Sequence, residues 1–383
     1  MSCERLMSQI DSLNDKYIDI WRKICDIESP TAYKEGVDRC GEFIIKLAQE
    51  HGWEIEVHEE KVSGNAICIT MNPDAKGAPV VFSGHIDTVH PLGSFGIPPT
   101  KSDSEKIYGP GVIDCKGGVV ASLMAMEALE RVGFDARPVK LIIQSDEEMG
   151  SRTSELRTVK FMCEKAKGAV AFFNTEGMKA GVATLQRKGI FTFAFTVTGV
   201  EAHASECASL GANAIAEAAH KITEIEKLKD ACGITASVNL ISGGTAKNTV
   251  AGSCKFTVDV RYVTSEQMEW VQKKMREIAD TVYVDACKTE VEIATSRIAM
   301  ERTERNLDFL RRMNEIFSEC GLTELKENAG KGGSDAAYIT AAGIPCVDSV
   351  GVRGGYIHSP LEYAYLSSLA ESAKRMAVVA YKI

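Results

Sequence analysis

The residues best suited to chemistry are histidines and carboxylates that follow short apolar segments. His85 and Asp87 belong to the run Gly-His-Ile-Asp-Thr-Val at 84–89, directly after the apolar segment 79–83. Residues i and i+2 of an extended chain share one face, so both side chains can point into one pocket. A metal-bound histidine usually donates its other ring N–H to a carboxylate, and Asp87 is placed for that task. Taken alone, such a pair is also typical of an ordinary surface histidine.

A second cluster places Asp114 in the run Tyr-Gly-Pro-Gly-Val-Ile-Asp-Cys-Lys-Gly-Gly at 108–118. Gly109 and Gly111 match the start of a dinucleotide-binding fingerprint, but Asp114 occupies the position of its third glycine. A carboxylate at that position would repel a pyrophosphate. The helix predicted after Asp114 offers the positive end of its dipole, which stabilises a carboxylate held for a metal ion. The pattern therefore favours a metal ligand over a nucleotide site.

The acidic run Ser-Asp-Glu-Glu-Met-Gly at 145–150 follows the apolar segment 139–145. Adjacent carboxylates repel one another unless a cation neutralises them. Successive side chains of an extended chain point in opposite directions, so one of Glu147 and Glu148 can ligate a metal while the other faces the attacking water. An acidic, solvated turn is the alternative interpretation of this run considered by itself.

The informative feature is the set of motifs rather than any single one. Glu176 follows the apolar segment 168–173, and His358 begins the run His-Ser-Pro-Leu-Glu-Tyr near the end of the sequence. Five nitrogen and oxygen ligands are too many for one tetrahedral zinc ion, but one shared carboxylate gives each of two ions three contacts. The sequence therefore predicts the two-metal site of a hydrolase, with the ligands His85, Asp114, Glu148, Glu176 and His358.

The hydrophobic patterns predict an α/β fold with two domains. Apolar segments of strand length alternate with helical patterns up to about residue 186, which is typical of a mostly parallel sheet covered by helices. From 187 to 296 the predicted order is β-α-β-β-α-β, the signature of a ferredoxin-like α+β unit. Helices and a Gly-rich loop return after that segment. We therefore expect one α/β domain, 1–186 and 297–383, interrupted by an inserted domain at 187–296.

Composition and charge narrow the class of protein. The chain has 383 residues, 45% of them apolar and 25% charged, with a formal net charge of −9. An acidic chain without a basic block is a poor partner for nucleic acid or for an anionic membrane surface. No apolar run approaches the ~20 residues of a membrane span, and the N-terminus has no signal core. The 12 cysteines lack the spacing of a metal or disulfide framework, so we expect a cytoplasmic protein in a reducing compartment.

These motifs, in this order, resemble those of the di-zinc metallopeptidases and deacylases of the aminoacylase family. That family includes glutamate carboxypeptidase, acetylornithine deacetylase, succinyl-diaminopimelate desuccinylase and peptidase T. The likeness spans essentially the whole chain and is strongest to the glutamate carboxypeptidase branch, through the runs at 108–111, 146–148, 259–262 and 332–338. It implies a zinc-exopeptidase-like catalytic domain interrupted by a domain that acts as a lid and pairs two subunits in a homodimer.

The resemblance assigns the predicted ligands to two zinc ions. One ion would be held by His85, Asp114 and Glu176. The other would be held by Asp114, Glu148 and His358, with Asp114 as the bridge. Cobalt or manganese can also occupy sites of this N/O type.

The resemblance implies a role for the other matching residues as well. Asp87 would orient His85, and Glu147 would act as the general base. His203, in the run Gly-Val-Glu-Ala-His-Ala at 199–204, would reach the substrate's carbonyl or oxyanion across the dimer. The substrate's carboxylate would be bound by Asn248, Arg261 and a backbone group of Gly333.

The implied reaction is hydrolysis of an amide bond next to a free carboxylate, which releases an amino acid from a small peptide. Deacylation of an N-acyl amino acid, of the acetylornithine deacetylase or succinyl-diaminopimelate desuccinylase type, is an alternative over the same two metals. An aminopeptidase of the peptidase T type ranks lower, because position 176 is glutamate where those relatives carry aspartate. An inactive dimer that only binds ligands is disfavoured because every ligand and the base are present. A serine hydrolase is disfavoured because the sequence has no G-x-S-x-G.

Overall fold

The computed structural model describes residues 3–229 and 232–383. Its contacts divide the chain into two compact units. The first unit comprises Met1–Leu185, Arg302–Ala329 and Ser334–Ile383, and the second comprises Gln186–Glu301 and Gly330–Gly333. The functional division into a catalytic domain and a lid stays a prediction.

Helices and strands alternate along most of the described chain. In chain order they are α1 (Cys3–Asp26), α2 (Lys34–Glu50), β1 (Glu54–His58), β2 (Ala66–Met71), β3 (Val80–His85), β4 (Lys101–Ser102), β5 (Lys106–Tyr108), α3 (Lys116–Arg131), β6 (Val139–Gln144), α4 (Arg157–Lys165), β7 (Ala171–Asn174), β8 (Val182–Arg187), β9 (Gly189–Thr198), α5 (Ala214–Glu226), β10 (Thr235–Gly243), β11 (Ser253–Tyr262), α6 (Ser265–Asp280), β12 (Lys288–Arg297), α7 (Glu304–Glu319), β13 (Lys326–Gly330), α8 (Ala336–Ala341), β14 (Cys346–Asp348), β15 (Gly354–Gly355), β16 (Tyr363–Tyr365) and α9 (Ser367–Lys382).

The largest sheet has eight strands in the order β1-β2-β6-β3-β7-β14-β8-β13. Strand β3 pairs in parallel with β6 and β7, and β7 pairs in parallel with β14. Strands β1 and β2 pair antiparallel, because the connection 59–65 is too short for the crossover of about a dozen residues that parallel neighbours need. The sheet is therefore mixed: the expected parallel arrangement holds for its centre, and its margins include antiparallel pairs.

The core of the first unit lies between this sheet and the helices that cover it. All six residues of β2 and all six of β3 are buried, as expected for strands covered on both faces. Helices α1, α3 and α9 pack on one another. The buried face of α1 follows the 3.6-residue period that the sequence predicts, through Leu6, Ile10, Leu13, Tyr17, Ile20, Trp21 and Ile24.

A small sheet in the first unit was not predicted from the sequence. Its four strands have the order β15-β16-β5-β4, and each contains two or three residues. Such strands are too short to produce a recognisable period-2 pattern. Tyr108 of β5 pairs with Tyr363 of β16, which joins the segment that precedes Asp114 to the segment that follows His358.

The second unit contains an antiparallel sheet in the order β10-β11-β9-β12, with α5 after β9 and α6 after β11. This is the strand order of a ferredoxin-like unit, as the β-α-β-β-α-β pattern predicts. Alternate residues of β9 are buried, including Phe191, Phe193 and Phe195, because only one face of this sheet is covered. Helix α6 ends at Asp280, and the backbone of Thr281 after it is extended.

Within the two described ranges, none of the helices combines the length and apolarity that a membrane span requires. Cys3 and Cys320 form a disulfide that connects the start of α1 to the residue after α7. Their separation of 317 residues explains why sequence spacing did not predict this pair. Most of the other cysteines are buried, as expected for thiols that pack like small apolar side chains.

Candidate metal centre

The predicted ligands converge at one edge of the large sheet because three neighbouring parallel strands end there. His85 is the last residue of β3, the pair Glu147 and Glu148 follows β6, and Glu176 follows β7. Strands β6, β3 and β7 are adjacent, and the carboxyl ends of parallel strands are where open α/β sheets bind ligands. Asp114 joins them from the loop between β5 and α3.

Close packing of α3 against the end of β7 brings Asp114 near Glu176. A Cβ atom on Gly118, in the first turn of α3, would lie 2.0 Å from the backbone oxygen of Thr175. Only glycine allows this approach without displacing the backbone that carries Glu176. The Lys-Gly-Gly end of the sequence motif is therefore explained by packing.

Asp114 lies at the centre of the cluster and uses its two oxygens in different directions. Its Oδ1 is 3.2 Å from His85 Nε2, and its Oδ2 is 3.3 Å from His358 Nε2. On the first side, His85 Nε2 is also 3.6 Å from Glu176 Oε1. On the second side, His358 Nε2 is 3.1 Å from Glu148 Oε2. This arrangement, two groups of three side chains that share one carboxylate, has the ligand set and connectivity of a site for two adjacent cations.

The cluster concentrates negative charge in a buried region. Asp114, Glu147, Glu148 and Glu176 carry a formal charge of −4 when ionised, against two imidazoles that are neutral near pH 7 unless perturbed. Burial raises the pKa of Glu148 to about 7, and the nearby Asp114 and Glu147 act in the same direction, against the hydrogen bond from His358. Burial and the Asp114 carboxylate also raise the pKa of Glu176. A bound cation would stabilise the ionised form of carboxylates arranged in this way.

The histidines respond to the same negative charge. Hydrogen bonds to Asp114 and Glu148 raise the pKa of His358 to about 10. Burial by itself would lower the pKa of His85, but Cys115, Glu176 and the two nearby aspartates raise it above its ordinary value. Both shifts have the same cause, the concentration of carboxylates around the two rings.

Asp87 contacts two parts of the cluster. His85 Nδ1, the ring nitrogen that faces away from Asp114, is 3.0 Å from the backbone oxygen of Asp87 and 3.3 Å from its Oδ1. The same carboxylate accepts hydrogen bonds from the backbone N–H groups of Glu147 and Glu148, at 3.2 and 3.1 Å. Thr31 adds a hydroxyl donor at 2.8 Å. Asp87 thus orients the imidazole and also holds the turn that carries the two glutamates.

Glu147 and Cys115 both lie close to His85. Glu147 Oε2 is 4.0 Å from His85 Nε2, so its carboxylate faces the space between the ligands. Cys115 is buried, follows a cis peptide bond after Asp114, and accepts a hydrogen bond from the His85 backbone N–H at 3.0 Å. Burial raises the pKa of its thiol to about 12, and its sulfur forms a group with the ligand atoms of His85 and Glu176 in which all three lie within 4.8 Å of one another.

Two further buried side chains, His90 and Glu362, lie beside the cluster. His90 Nε2 is 2.7 Å from Glu362 Oε2. Glu362 lies in the same run as His358, four residues later. That proximity to a predicted ligand was the signal in the sequence that could have indicated a role for Glu362 near the cluster.

A cavity of about 360 Å³ lies in the first unit. Its wall contains the chain neighbours of three predicted ligands, Ile113, Gly177 and Ile357, but none of the ligands themselves. The rest of the wall includes Tyr363, Tyr365 and Lys179.

In the second unit, His203 and Asn248 are neighbours. Both are exposed, and the backbone N–H of Ala204 donates to the backbone oxygen of Asn248 at 2.9 Å. His203 Nδ1 accepts a hydrogen bond from the Ser205 N–H at 3.3 Å. The same Nδ1 is 2.8 Å from Ser205 Oγ, so both of these contacts are made by one ring nitrogen of His203.

Arg261 and Gly333 lie in another part of the second unit. Arg261 on β11 pairs in register with Ile190 of β9, and Ile190 pairs on its other side with Arg297 of β12. Gly333 packs against the Arg297 side chain. Asp259 binds the Arg261 guanidinium through Nε and Nη2, at 2.8 and 3.0 Å. Because a guanidinium has five N–H donors, others remain for a second carboxylate.

Comparison of the sequence with known proteins identifies its family. Residues 81–382 match the family described as Peptidase family M20/M25/M40. Carboxypeptidase G2 from Pseudomonas sp. strain RS-16 is 27% identical over 91% of this chain and 84% of its own length. Succinyl-diaminopimelate desuccinylase from Dechloromonas aromatica is 27% identical over 71% of this chain and 75% of its own length.

A solved structure has the same fold. The crystal structure of the aminopeptidase PepT from Bacillus cereus superposes with a TM-score of 0.78 at 21% identity, and the match covers 96% of this chain and 98% of that one. The family match extends over most of the sequence and includes the predicted ligands from His85 to His358. The chain is therefore an enzyme that belongs to peptidase family M20/M25/M40.

Proposed function

We propose that the protein is a di-zinc, carboxypeptidase-like hydrolase that cleaves an amide bond next to a free carboxylate and releases an amino acid. The observation that carries this proposal is the position of Asp114. Its two oxygens lie 3.2 and 3.3 Å from the two histidines, which is the connectivity of a carboxylate that bridges two ions. The carboxylate-rich, buried surroundings are suited to cations and to little else.

The residues fit a pair of divalent ions in number, type and charge. One ion would be held by His85, Asp114 and Glu176, and the other by Asp114, Glu148 and His358. Two divalent ions carry +4, which balances the −4 of the four clustered carboxylates. Zinc accepts imidazole and carboxylate ligands, and cobalt or manganese can occupy similar sites. Bound there, the ions would polarise the scissile carbonyl and lower the pKa of a water molecule from about 15.7 towards 7.

Glu147 is the general base in this proposal. It follows β6 next to the ligand Glu148, and its carboxylate lies at the edge of the cluster without belonging to either group of three ligands. The carboxylate takes a proton from the attacking water and transfers it to the leaving nitrogen. General bases of this kind must lie within hydrogen-bond reach of the nucleophile, and the turn held by Asp87 sets that position.

Residues of the second unit bind the substrate and stabilise charge. His203 Nε2 donates to the oxyanion of the tetrahedral intermediate, a contribution of about 3–4 kcal/mol for one good donor. Arg261, with Asn248 and the Gly333 backbone, binds the free carboxylate of the substrate. Arginine suits that task because its planar fork matches a carboxylate.

The positions of these residues within the second unit support a homodimer. Arg261 is in register with Ile190 near the start of β9, whereas His203 lies five residues beyond Thr198 at its end. Eight residues of antiparallel strand span about 27 Å, more than the length of a dipeptide. One chain therefore cannot place both groups on the same small substrate, and His203 would come from a second copy.

An exposed edge of the same sheet is suited to that association. Strand β10 is at the margin of the sheet, and its residues Leu240 and Ile241 are 69% and 55% exposed. An exposed, apolar edge strand readily pairs with another chain.

The relatives suggest two classes of amide substrate, dipeptides and N-acyl amino acids. Carboxypeptidase G2 and succinyl-diaminopimelate desuccinylase are both similar to this chain, so deacylation of an N-acyl amino acid is the second candidate. The zinc-loaded protein should be incubated with a dipeptide library and, separately, with a library of N-acyl amino acids. Faster release of amino acids from the dipeptides supports the carboxypeptidase, and faster release from the acyl compounds supports the deacylase.

Two adjacent glutamates provide a matched test of the mechanism. Glu147→Gln should reduce kcat by at least 10²-fold, as expected for loss of a general base, while zinc content stays near two ions per chain. Glu148→Gln should instead lose zinc, because it removes a ligand. Elemental analysis and steady-state kinetics measure both effects. Near-normal kcat in Glu147→Gln would exclude Glu147 as the base.

A further inference from the structure

The buried carboxylate of Glu362 contacts the loop that presents the bridging ligand. Its Oε1 accepts hydrogen bonds from the backbone N–H groups of Ile113 and Asp114, at 3.0 and 3.2 Å. Its Oε2 accepts one from the N–H of Gly111 at 3.2 Å. Glu362 is 1% exposed, so water cannot replace these partners.

The same side chain connects two other segments that carry predicted ligands. His90 Nε2 is 2.7 Å from Glu362 Oε2, and His90 lies in the segment that begins with His85. Glu362 itself ends the turn that begins at His358, and its backbone oxygen accepts from the Gly109 N–H at 3.3 Å. One carboxylate therefore joins the three segments that supply His85, Asp114 and His358.

Glu362 has no capacity left to bind a metal ion. A carboxylate offers about four acceptor positions, and three backbone N–H groups and one imidazole occupy them here. Hydrogen bonds to neighbouring residues, rather than metal contacts, are the way in which such a group influences a metal centre.

We infer that Glu362, with His90, is a positioning residue that holds the Gly111–Asp114 loop so that Asp114 can bridge the two metal positions. This inference rests on the proposed metal centre. A glutamine cannot replace the carboxylate, because in either orientation its NH₂ group would face a backbone N–H donor. The substitution therefore keeps the volume of the side chain and breaks the contacts of one of its two oxygens.

The test compares Glu362→Gln with Glu127→Gln. Glu127 is also a buried carboxylate of the first unit, but its partners are the side chains of Lys16 and Tyr17, at 2.6 and 2.7 Å, and not the loop. Zinc affinity is measured by competition with a chelator. Glu362→Gln should weaken it 10- to 100-fold, the usual effect of removing a partner of a metal ligand, whereas Glu127→Gln should keep the wild-type affinity. Wild-type zinc affinity in Glu362→Gln would overturn the inference.

A second measurement uses the metal-free protein, so it does not depend on the proposed function. Hydrogen exchange of the amides at 111–114 should be faster in Glu362→Gln than in wild type and unchanged in Glu127→Gln. Unchanged exchange in Glu362→Gln would also overturn the inference. A wild-type protein that binds no zinc would instead refute the proposed function. If Glu362→Gln does not fold, His90→Phe removes one donor to the same carboxylate: several-fold weaker zinc binding supports the inference, and unchanged binding overturns it.

Discussion

Asp87 illustrates how one side chain can set the geometry of a whole site. Its carboxylate faces His85 Nδ1 on one side and receives two backbone N–H groups and the Thr31 hydroxyl on the other. The ligand His85 and the turn with Glu147 and Glu148 therefore share one support. Because Asp87 supports both, its substitution should cost more free energy than the loss of a single hydrogen bond.

We expect Asp87→Asn to lower zinc affinity 10- to 100-fold, because an amide would place an NH₂ group against the backbone N–H of Glu147 or Glu148. The control is Thr31→Val, which removes only the hydroxyl contact to the same carboxylate and should cost about 1 kcal/mol of folding stability. Chelator competition and urea unfolding measure the two quantities. Equal zinc affinities in the two variants would argue against the role given to Asp87.

A buried ion pair on helix α5 of the second unit forms hydrogen bonds with the end of helix α6. Lys221 Nζ is 3.0 Å from Glu217 Oε1, donates to the backbone oxygens of Ile278 and Ala279 at the end of α6, and is fully buried. Glu217 accepts hydrogen bonds from the backbone N–H groups of 283 and 284. Two side chains of α5, Lys221 and Glu217, therefore form hydrogen bonds with the last carbonyls of α6 and with backbone N–H groups after it.

This ion pair predicts how folding stability depends on pH. Burial would raise the pKa of Glu217, but Lys221 and the two backbone N–H groups lower it below its unfolded value near 4.5. The stabilisation is therefore present above about pH 4.5 and is lost as the pH falls through the folded-state pKa. Glu217→Gln should cost about 3 kcal/mol at pH 7, and the difference from wild type should shrink in acid.

Urea unfolding at pH 7 and at pH 4 or below measures this dependence. Glu277→Gln is the control, because Glu277 forms an exposed ion pair with Lys274 on α6. Exposed pairs contribute little, so this variant should follow the wild-type curve. A constant difference between Glu217→Gln and wild type across the pH range would contradict the proposed contribution of the carboxylate.

The proposed homodimer makes a prediction for the assembled enzyme. If His203 acts on the substrate of the other copy, a heterodimer of His203→Ala and Glu147→Gln chains contains one complete site. Two affinity tags allow that heterodimer to be purified from co-expressed chains. Its activity should be about half that of the wild-type dimer, although each parent homodimer is inactive.

A matched control heterodimer shows whether pairing two different mutant chains restores activity when neither site is complete. The control heterodimer pairs a Glu147→Gln chain with a Glu148→Gln chain. The ligand cluster of each chain then carries one substitution, so neither site is complete and the heterodimer should stay inactive. If the His203→Ala and Glu147→Gln heterodimer is as inactive as its parents, His203 does not act on the other copy's substrate.

The local motifs identified the candidate ligands. They did not predict the small sheet or the Glu362 contacts that surround those ligands. His85, Glu148 and Glu176 could be identified as candidate ligands because each lies at or shortly after the end of an apolar strand, and a strand of four to six mostly buried residues is readable in a sequence. The small sheet of β4, β5, β15 and β16 could not be identified, because each strand has only two or three residues and the pairing of β5 with β16 joins segments about 250 residues apart. Glu362 was overlooked for the same reason, since its partners at 111–114 are distant in the sequence.

The chain's own sequence determined the types of element, the residues that could bind metal and the side of the sheet to which they belong. Those properties follow from local periodicity and from chemistry that each residue carries wherever it lies. The tertiary structure decided which oxygen of Asp114 faces which histidine, that His90 contacts Glu362, and that Arg261 and His203 lie at opposite ends of β9. Distances between residues far apart in sequence depend on strand order and close packing, which no local pattern specifies.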